Sequence, residues 1–479
     1  MLLLLAMVSV VQLASAGPES CDTRVNNTHK KLLECVTVEG VREHQAAFQA
    51  IADANGGIRT SGTAGYDASV DYVVERMNAA GYDVTVQEFQ FQTFITLSPT
   101  VLEQVAPTPG PIVTNIMSYS GSGDNTAPVS TLPVITGCNA SDFVGFPAGN
   151  IALISRGACT FALKATNAYN AGASGVVIYN NIPGVLNGTL SSTFTLDISV
   201  TAVTLDVGQQ LAATSGLVMR LKTDTFRGEA TTSNVLAESR DGDPNNVIMA
   251  GAHLDSVNAG PGIQDNGSGS AAILEVAEQM AKVKPRNQVR FAWWGAEESG
   301  LVGSNFYVAN LSQEEQDQIV LYLNFDMIGS PNFARFIYDG DGSDFGLVGP
   351  PGSDAIEKLF EDFYDANGLA HEATAFSGRS DYQAFINVGI PAGGLFTGAE
   401  GIKTPEQAAI YGGTAGAQYD PCYHLACDTF ENISLEVLDQ NSDAVACATL
   451  QYAMNTQDIN GERGKGNFNP DRLGDHFLR

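Results

Sequence analysis

Four segments of the sequence place acid or imidazole at the end of an apolar run or in a glycine-rich turn. "VIMAGAHLD" ends in His253 and Asp255, "VRFAWWGAEE" in Glu297 and Glu298, and "VLYLNFD" in Asp326. A glycine-rich turn opening a helix, "QDNGSGSAA", adds Asp265. Brought together, these carboxylates would repel, and like charges at short range drive one pKa sharply upward. A bound dication removes that cost. Imidazole and carboxylate donors without thiolates suit zinc, although manganese and cobalt accept the same set. No second histidine lies within five residues of His253, so this is not the helical H-E-x-x-H arrangement. A second imidazole must come from afar. There are only six histidines, and His424 in "DPCYHLACD" is the best candidate, while His371 in "GLAHEATAF" reads as structural.

These residues need a scaffold that ends several strands on one edge. Between residues 232 and 455 short apolar runs alternate with helical patterns: "NNVIMAGA", "SAAILEVAEQMAKV", "QVRFAWW" and "VLYLNFDM". That alternation describes an α/β protein whose largely parallel sheet is covered by helices on both faces. Ligands of open α/β sheets bind beyond the carboxyl ends of the strands, where all the acids above fall. Upstream, "YDASVDYVVERMNAAG" has helical apolar spacing stopped by Gly81, and "YDVTVQEF" alternates as a strand. Residues 93–231 differ. They are rich in Thr, Ser, Gly and Pro, with short β runs and one helix, "FALKATNAYNAGA", and read as a small mainly-β module.

The composition fits a folded chain, with 44% apolar and 16% charged residues among 479. The formal charge of −29 is spread along the sequence and argues against nucleic acid, whose phosphates need Lys and Arg clusters. Residues 1–16, "MLLLLAMVSVVQLASA", read as a secretory signal peptide cleaved after Ala16. The mature chain is therefore expected to be secreted, with no membrane association after cleavage. Secretion permits disulfides, and the spacing of the seven cysteines suggests Cys21–Cys35, Cys138–Cys159 and Cys422–Cys427, leaving Cys447 as a buried thiol. Acceptor sequons occur at Asn26, Asn139, Asn187, Asn266, Asn310 and Asn432. All except Asn266 are expected on exposed loops. The polar tail, 457–479, is expected to be poorly ordered.

"GAHLDSV", "QDNGSGSAA", "WWGAEESGLVGS", "LNFDMIGS", "FSGRSDYQAF", "GGLFTGAEGIKT" and "CYHLACDTF" together resemble the secreted and vacuolar two-zinc aminopeptidase family, the aminopeptidase Y-like, leucyl aminopeptidase type. "GNIALISRGACTFALKATNAYNAGASGVVIYN" resembles the protease-associated domain inserted in such enzymes. The resemblance runs from about residue 40 to 450. It implies a zinc-peptidase (phosphorylase/hydrolase-like) mixed sheet flanked by helices, built from 17–110 and 230–456 and interrupted by a protease-associated domain, 111–229. It also implies two zinc ions: His253 and Asp326 on one, Glu298 and His424 on the other, and Asp265 bridging both, followed by a cis Asp265–Asn266 peptide. Glu297 would be the general base for a metal-bridging hydroxide, Asp255 would orient the His253 imidazole, and Tyr423 would steady the oxyanion. Arg379 would lie near the substrate, with a loop ion pair to Asp381 as its alternative role. The expected substrates are peptides with a free N-terminus, probed by removal of a bulky apolar residue such as Leu, and the inserted domain could carry further protein contacts. The alternatives are a glutamate-carboxypeptidase-type exopeptidase, a silent receptor-like ectodomain, or a single-zinc glutaminyl cyclase.

Overall fold

The computed structural model describes residues 21, 23–132, 135–184 and 186–461. The leader, residues 1–16, and the tail from 462 lie outside the described residues. Gln457–Asn460, the start of the tail, form a short helix. Among the described residues no helix is long and apolar enough to cross a membrane.

The chain forms two compact units. One joins the residues up to Phe89 to those from Thr231 onward, and the other is Gln90–Ala230. In the first, the strands relevant to the site are β1 (Val218–Glu238, of which 231–238 belong here), β2 (Asp243–His253), β3 (Asn287–Trp294), β4 (Ile319–Phe325), β5 (Phe336–Tyr338), β6 (Glu372–Thr374) and β7 (Ala392–Phe396). Their order is β6-β5-β7-β4-β2-β3-β1. β2 lies between β3 and β4 and is parallel to both; β4 and β7 are also parallel. β1 and β5 run antiparallel to their neighbours β3 and β7, so the sheet is mixed.

Strand side chains alternate between two faces, and here both faces are buried. Ile248, Ala250, Val289, Phe291, Leu321 and Leu323 enter one core. That core is covered by α1 (Val38–Ala54), α2 (Ala64–Ala80), α3 (Gly267–Met280), α4 (Ser353–Ala366) and α5 (Leu435–Met454). Met249, Trp294 and Tyr322 enter the other core, with Phe385 stacked on Tyr322 at 3.9 Å between centroids. Two-sided burial explains why these strands read as continuous apolar runs. Trp294 Nε1 donates to the Tyr322 hydroxyl at 2.8 Å. Gly251 makes room for this bond, because a Cβ there would lie 2.5 Å from the same hydroxyl.

The second unit carries strands Gly123–Thr131, Ile151–Ser155, Gly175–Tyr179 and Ser199–Val203, parallel in that order, with Asn115–Ile116 antiparallel at the edge. Helices Phe161–Asn170 and Leu205–Ala213 accompany them.

Disulfides join Cys21 to Cys35, Cys138 to Cys159 and Cys422 to Cys427, and Cys447 is a buried free thiol. Two sequon expectations fail. Asn26 is buried and its amide donates to the Gln279 carbonyl at 2.9 Å. Asn432 is buried and donates to Asp420 at 2.9 Å. Their amides are committed inside the fold, whereas Asn139, Asn187 and Asn310 are exposed.

Candidate metal centre

Because β2, β3 and β4 are parallel neighbours, their carboxyl ends open on one edge. His253 is the last residue of β2, Glu297 and Glu298 follow β3 by three and four residues, and Asp326 directly follows β4. Asp265 precedes α3, which is capped by the Asn266 side chain accepting the Gly269 N–H at 2.9 Å. Gly269 is required there, since a Cβ would sit 2.1 Å from the Phe325 carbonyl. The Asp265–Asn266 peptide is cis. His424 comes from the far end of the unit, inside the six-residue loop closed by Cys422–Cys427.

These groups converge. His253 Nε2 lies 3.2 Å from Asp265 Oδ1, 3.4 Å from Asp326 Oδ1 and 4.0 Å from Glu297 Oε2. His424 Nε2 lies 3.2 Å from Asp265 Oδ2 and 3.1 Å from Glu298 Oε2. Each oxygen of Asp265 therefore faces a different imidazole. Ala296, Met327 and His424 adopt left-handed backbone at φ 55°, 52° and 57°, each beside or within the cluster. Such conformations cost roughly 1 kcal/mol or more for non-glycine residues and collect at functional sites.

The electrostatics describe an anionic cluster short of positive charge. Burial pushes Glu297 well up, with His253 opposing and Glu298 adding to the shift, and burial likewise raises Glu298. Burial alone would lower His253, but Asp326 and Glu297 hold it well above the usual imidazole range. His424 behaves the same way through Glu298 and Asp265. Glu298 Oε1 and Asp326 Oδ1 are buried with no hydrogen-bond partner, as expected of oxygens that face a cation. Imidazole nitrogens and carboxylate oxygens, with no thiolate, match zinc's donor preferences.

Asp255 touches both neighbouring strand ends. His253 Nδ1 lies 3.1 Å from the Asp255 carbonyl and 3.6 Å from its carboxylate. The carboxylate also accepts the main-chain N–H groups of Glu297 and Glu298 at 3.1 and 3.4 Å. Tyr423 stacks on His424 at 3.8 Å between centroids, and its hydroxyl accepts from Arg379 at 3.1 Å. Burial, followed by Asp265 and Glu298, raises the Tyr423 phenol well above its usual value, which keeps it a donor. Arg379 does not pair with Asp381, which is buried. It forks onto Glu400 at 2.9 and 3.3 Å. His371 stays away from the cluster, 3.3 Å from Asp365.

Three supports are not singled out by residue spacing, although Ser380 and Asp428 lie inside the motifs "FSGRSDYQAF" and "CYHLACDTF". Arg59, fully buried, donates to the carbonyls of Leu254, Pro261 and Gly262, pinning the segments that follow His253 and precede Asp265. Asp428 accepts the N–H groups of Gln264 and Asp265 at 2.8 and 3.0 Å. Ser380 donates to Asp326 Oδ2 at 2.6 Å and accepts from Asn324 at 2.9 Å. All three act across long separations in the chain, which local spacing cannot encode.

The cluster opens into a cleft whose apolar walls include Met327, Tyr338, Phe396 and Ala399. The models of peptidase family M28 and of the PA domain match residues 234–449 and 127–211. A Pseudomonas aeruginosa (strain UCBPP-PA14) protein named aminopeptidase is 49% identical, covering 90% of this chain and 84% of that protein.

The chain belongs to peptidase family M28.

The PA match lies in the second unit, whose residues interrupt the unit that carries the M28 match. Leucine aminopeptidase 2 of Arthroderma otae is 45% identical over 82% of this chain and 80% of its own length. Among solved structures, an aminopeptidase from Aneurinibacillus sp. strain AM-1 superposes with a TM-score of 0.68 at 28% identity, covering 88% of this chain and 95% of that one. A zinc aminopeptidase from Bacillus subtilis gives 0.65 at 27%, covering 86% and 94%. This M28 member shares the mixed α/β fold of those enzymes.

Proposed function

We propose that this chain is a secreted two-zinc aminopeptidase that removes a bulky apolar N-terminal residue such as Leu from peptides. The observation that carries the reading is the placement of Asp265 between two imidazoles, Oδ1 toward His253 and Oδ2 toward His424. Asp326 would complete the His253 side and Glu298 the His424 side, with Asp265 shared. When bound, two zinc ions would polarise the scissile carbonyl and make an attacking water acidic near neutral pH.

The chain's own residues divide the remaining work. Glu297, not needed as a ligand, takes the proton of the attacking water and returns it to the leaving amine. Its raised pKa suits both halves of that exchange. Tyr423 donates to the developing oxyanion, steadied by Arg379. Asp326 and Glu297 receive the substrate's free amino group, which restricts cleavage to the N-terminal residue. The apolar cleft walls and the relatives named leucine aminopeptidase 2 support the Leu preference. The carboxypeptidase alternative needs basic groups for a substrate carboxylate. Among the described residues lining the cleft Arg379 is the only Lys or Arg, and Glu400 meets its charge.

The test is a panel assayed with zinc-loaded protein. Leucyl-anilide should be hydrolysed, and acetyl-leucyl-anilide should not. Cleavage of an N-blocked dipeptide in preference to leucyl-anilide would overturn the assignment in favour of the carboxypeptidase class.

A further inference from the structure

We infer that a hard divalent cation of the Ca²⁺ type binds, apart from the zinc cluster, where the loop after β5 meets α4, held by Asp339, Asp341 and Glu357. Each of the three offers an oxygen, and these oxygens lie within 4.8 Å of one another. Donors about 2.3–2.6 Å from one Ca²⁺ can be no farther apart than about 4.6–5.2 Å, so the spacing admits a shared ion.

The inference does not rest on acidity alone. Asp339 is 1% exposed, and its Oδ2 is already engaged by the N–H groups of Asp344 and Phe345 at 3.2 and 2.8 Å. Its Oδ1 is buried and meets no hydrogen-bond donor. Its carboxylate neighbour is Asp341, another anion. A buried carboxylate beside a second carboxylate is costly unless a proton or a cation lies between them. Glu357 is fixed from α4 by accepting the N–H groups of Gly340 and Asp341 at 2.8 and 3.1 Å. The donor set is all oxygen, which favours Ca²⁺ over zinc. Asp341 is exposed and leaves room for water to complete the shell. Of the three, Glu357 also lines a surface cavity, with Asp344, Glu361 and Glu372, where His371 is the basic group.

The ion would fasten the 339–345 loop onto α4. Tyr338, the residue before Asp339, and Thr374, its partner on β6, both line the catalytic cleft. Cation binding would therefore stiffen one wall of the cleft without touching the zinc ligands.

The experiment is calorimetric titration of the zinc-loaded full chain with CaCl₂ and, separately, with MgCl₂ after exchange into calcium-free buffer, the CaCl₂ titration repeated for Asp341→Asn and Glu357→Gln. The wild type should show a saturable Ca²⁺-binding event that is at least tenfold weaker in both variants, and Ca²⁺ should raise the thermal midpoint of the wild type only. Asp341 is exposed, so its substitution leaves the fold intact even if Glu357→Gln does not. No Ca²⁺ binding by the wild type, binding unchanged in Asp341→Asn, or a preference for Mg²⁺ over Ca²⁺ would each overturn the inference. The readout is cation binding, so it stands or falls independently of the peptidase reading.

Discussion

The carboxylate of Asp255 accepts the main-chain N–H of Glu297 at 3.1 Å. One strand end thus positions the proposed base carried by its neighbour, while the Asp255 carbonyl faces the His253 imidazole at 3.1 Å. In Asp255→Asn the amide retains the size of the carboxylate but weakens its grip on the Glu297–Glu298 backbone. The expected result is a fall of about 10–100-fold in kcat, the range for groups that orient ligands, with zinc content unchanged. Wild-type kcat for leucyl-anilide would show that the contact does not matter.

Glu297→Gln should bind zinc normally, because Glu297 is 4.0 Å from His253 Nε2 and outside the proposed ligand set. Loss of the proton shuttle should lower kcat by about 10²–10⁴-fold. Turnover close to wild type at equal zinc occupancy would remove Glu297 from the mechanism.

Arg59→Met should destabilise the fold by about 2 kcal/mol or more. It leaves the buried carbonyls of Leu254 and Pro261 without their donor, while Gly262 keeps the Gly267 N–H at 3.0 Å, and each unsatisfied group costs roughly 1–3 kcal/mol. Urea unfolding of the zinc-loaded protein measures this directly, and a midpoint equal to wild type would refute the role. Arg59→Lys should recover part of the loss.

His44 predicts acid sensitivity. Burial lowers its pKa to about 4, against the pull of Glu278, and its Nδ1 lies 2.8 Å from the Tyr72 hydroxyl. A histidine whose folded pKa is depressed binds fewer protons folded than unfolded. Its contribution is full above about 6.5 and is lost as pH falls toward about 4, a decline of roughly 3 kcal/mol. His44→Gln should flatten the stability curve between those pH values. An unchanged slope would show that His44 does not titrate in this way.

Much of the centre is legible in the sequence because four of the five proposed ligands, His253, Asp265, Glu298 and Asp326, end an apolar run or open a glycine-rich turn. Parallel strands then bring such ends to one edge. His424 was harder to place, since only its scarcity and its cysteine-flanked loop marked it. Arg59 was illegible: its partners lie about 200 residues away and are main-chain carbonyls, which leave no side-chain pattern. Local spacing suggests Asp381 as an alternative partner for Arg379, but Asp381 is buried and Arg379 pairs with Glu400. Asn26 and Asn432 match an acceptor pattern that is blind to burial.

Zinc content per chain tests the central claim most directly, measured by mass spectrometry on protein purified without chelators and corrected for loosely bound metal by dialysis. Two zinc ions per chain, falling to one or none in Asp265→Ala, is the expected result. One zinc in the wild type, retained in Asp265→Ala, would contradict a shared Asp265 and point to a single-metal site.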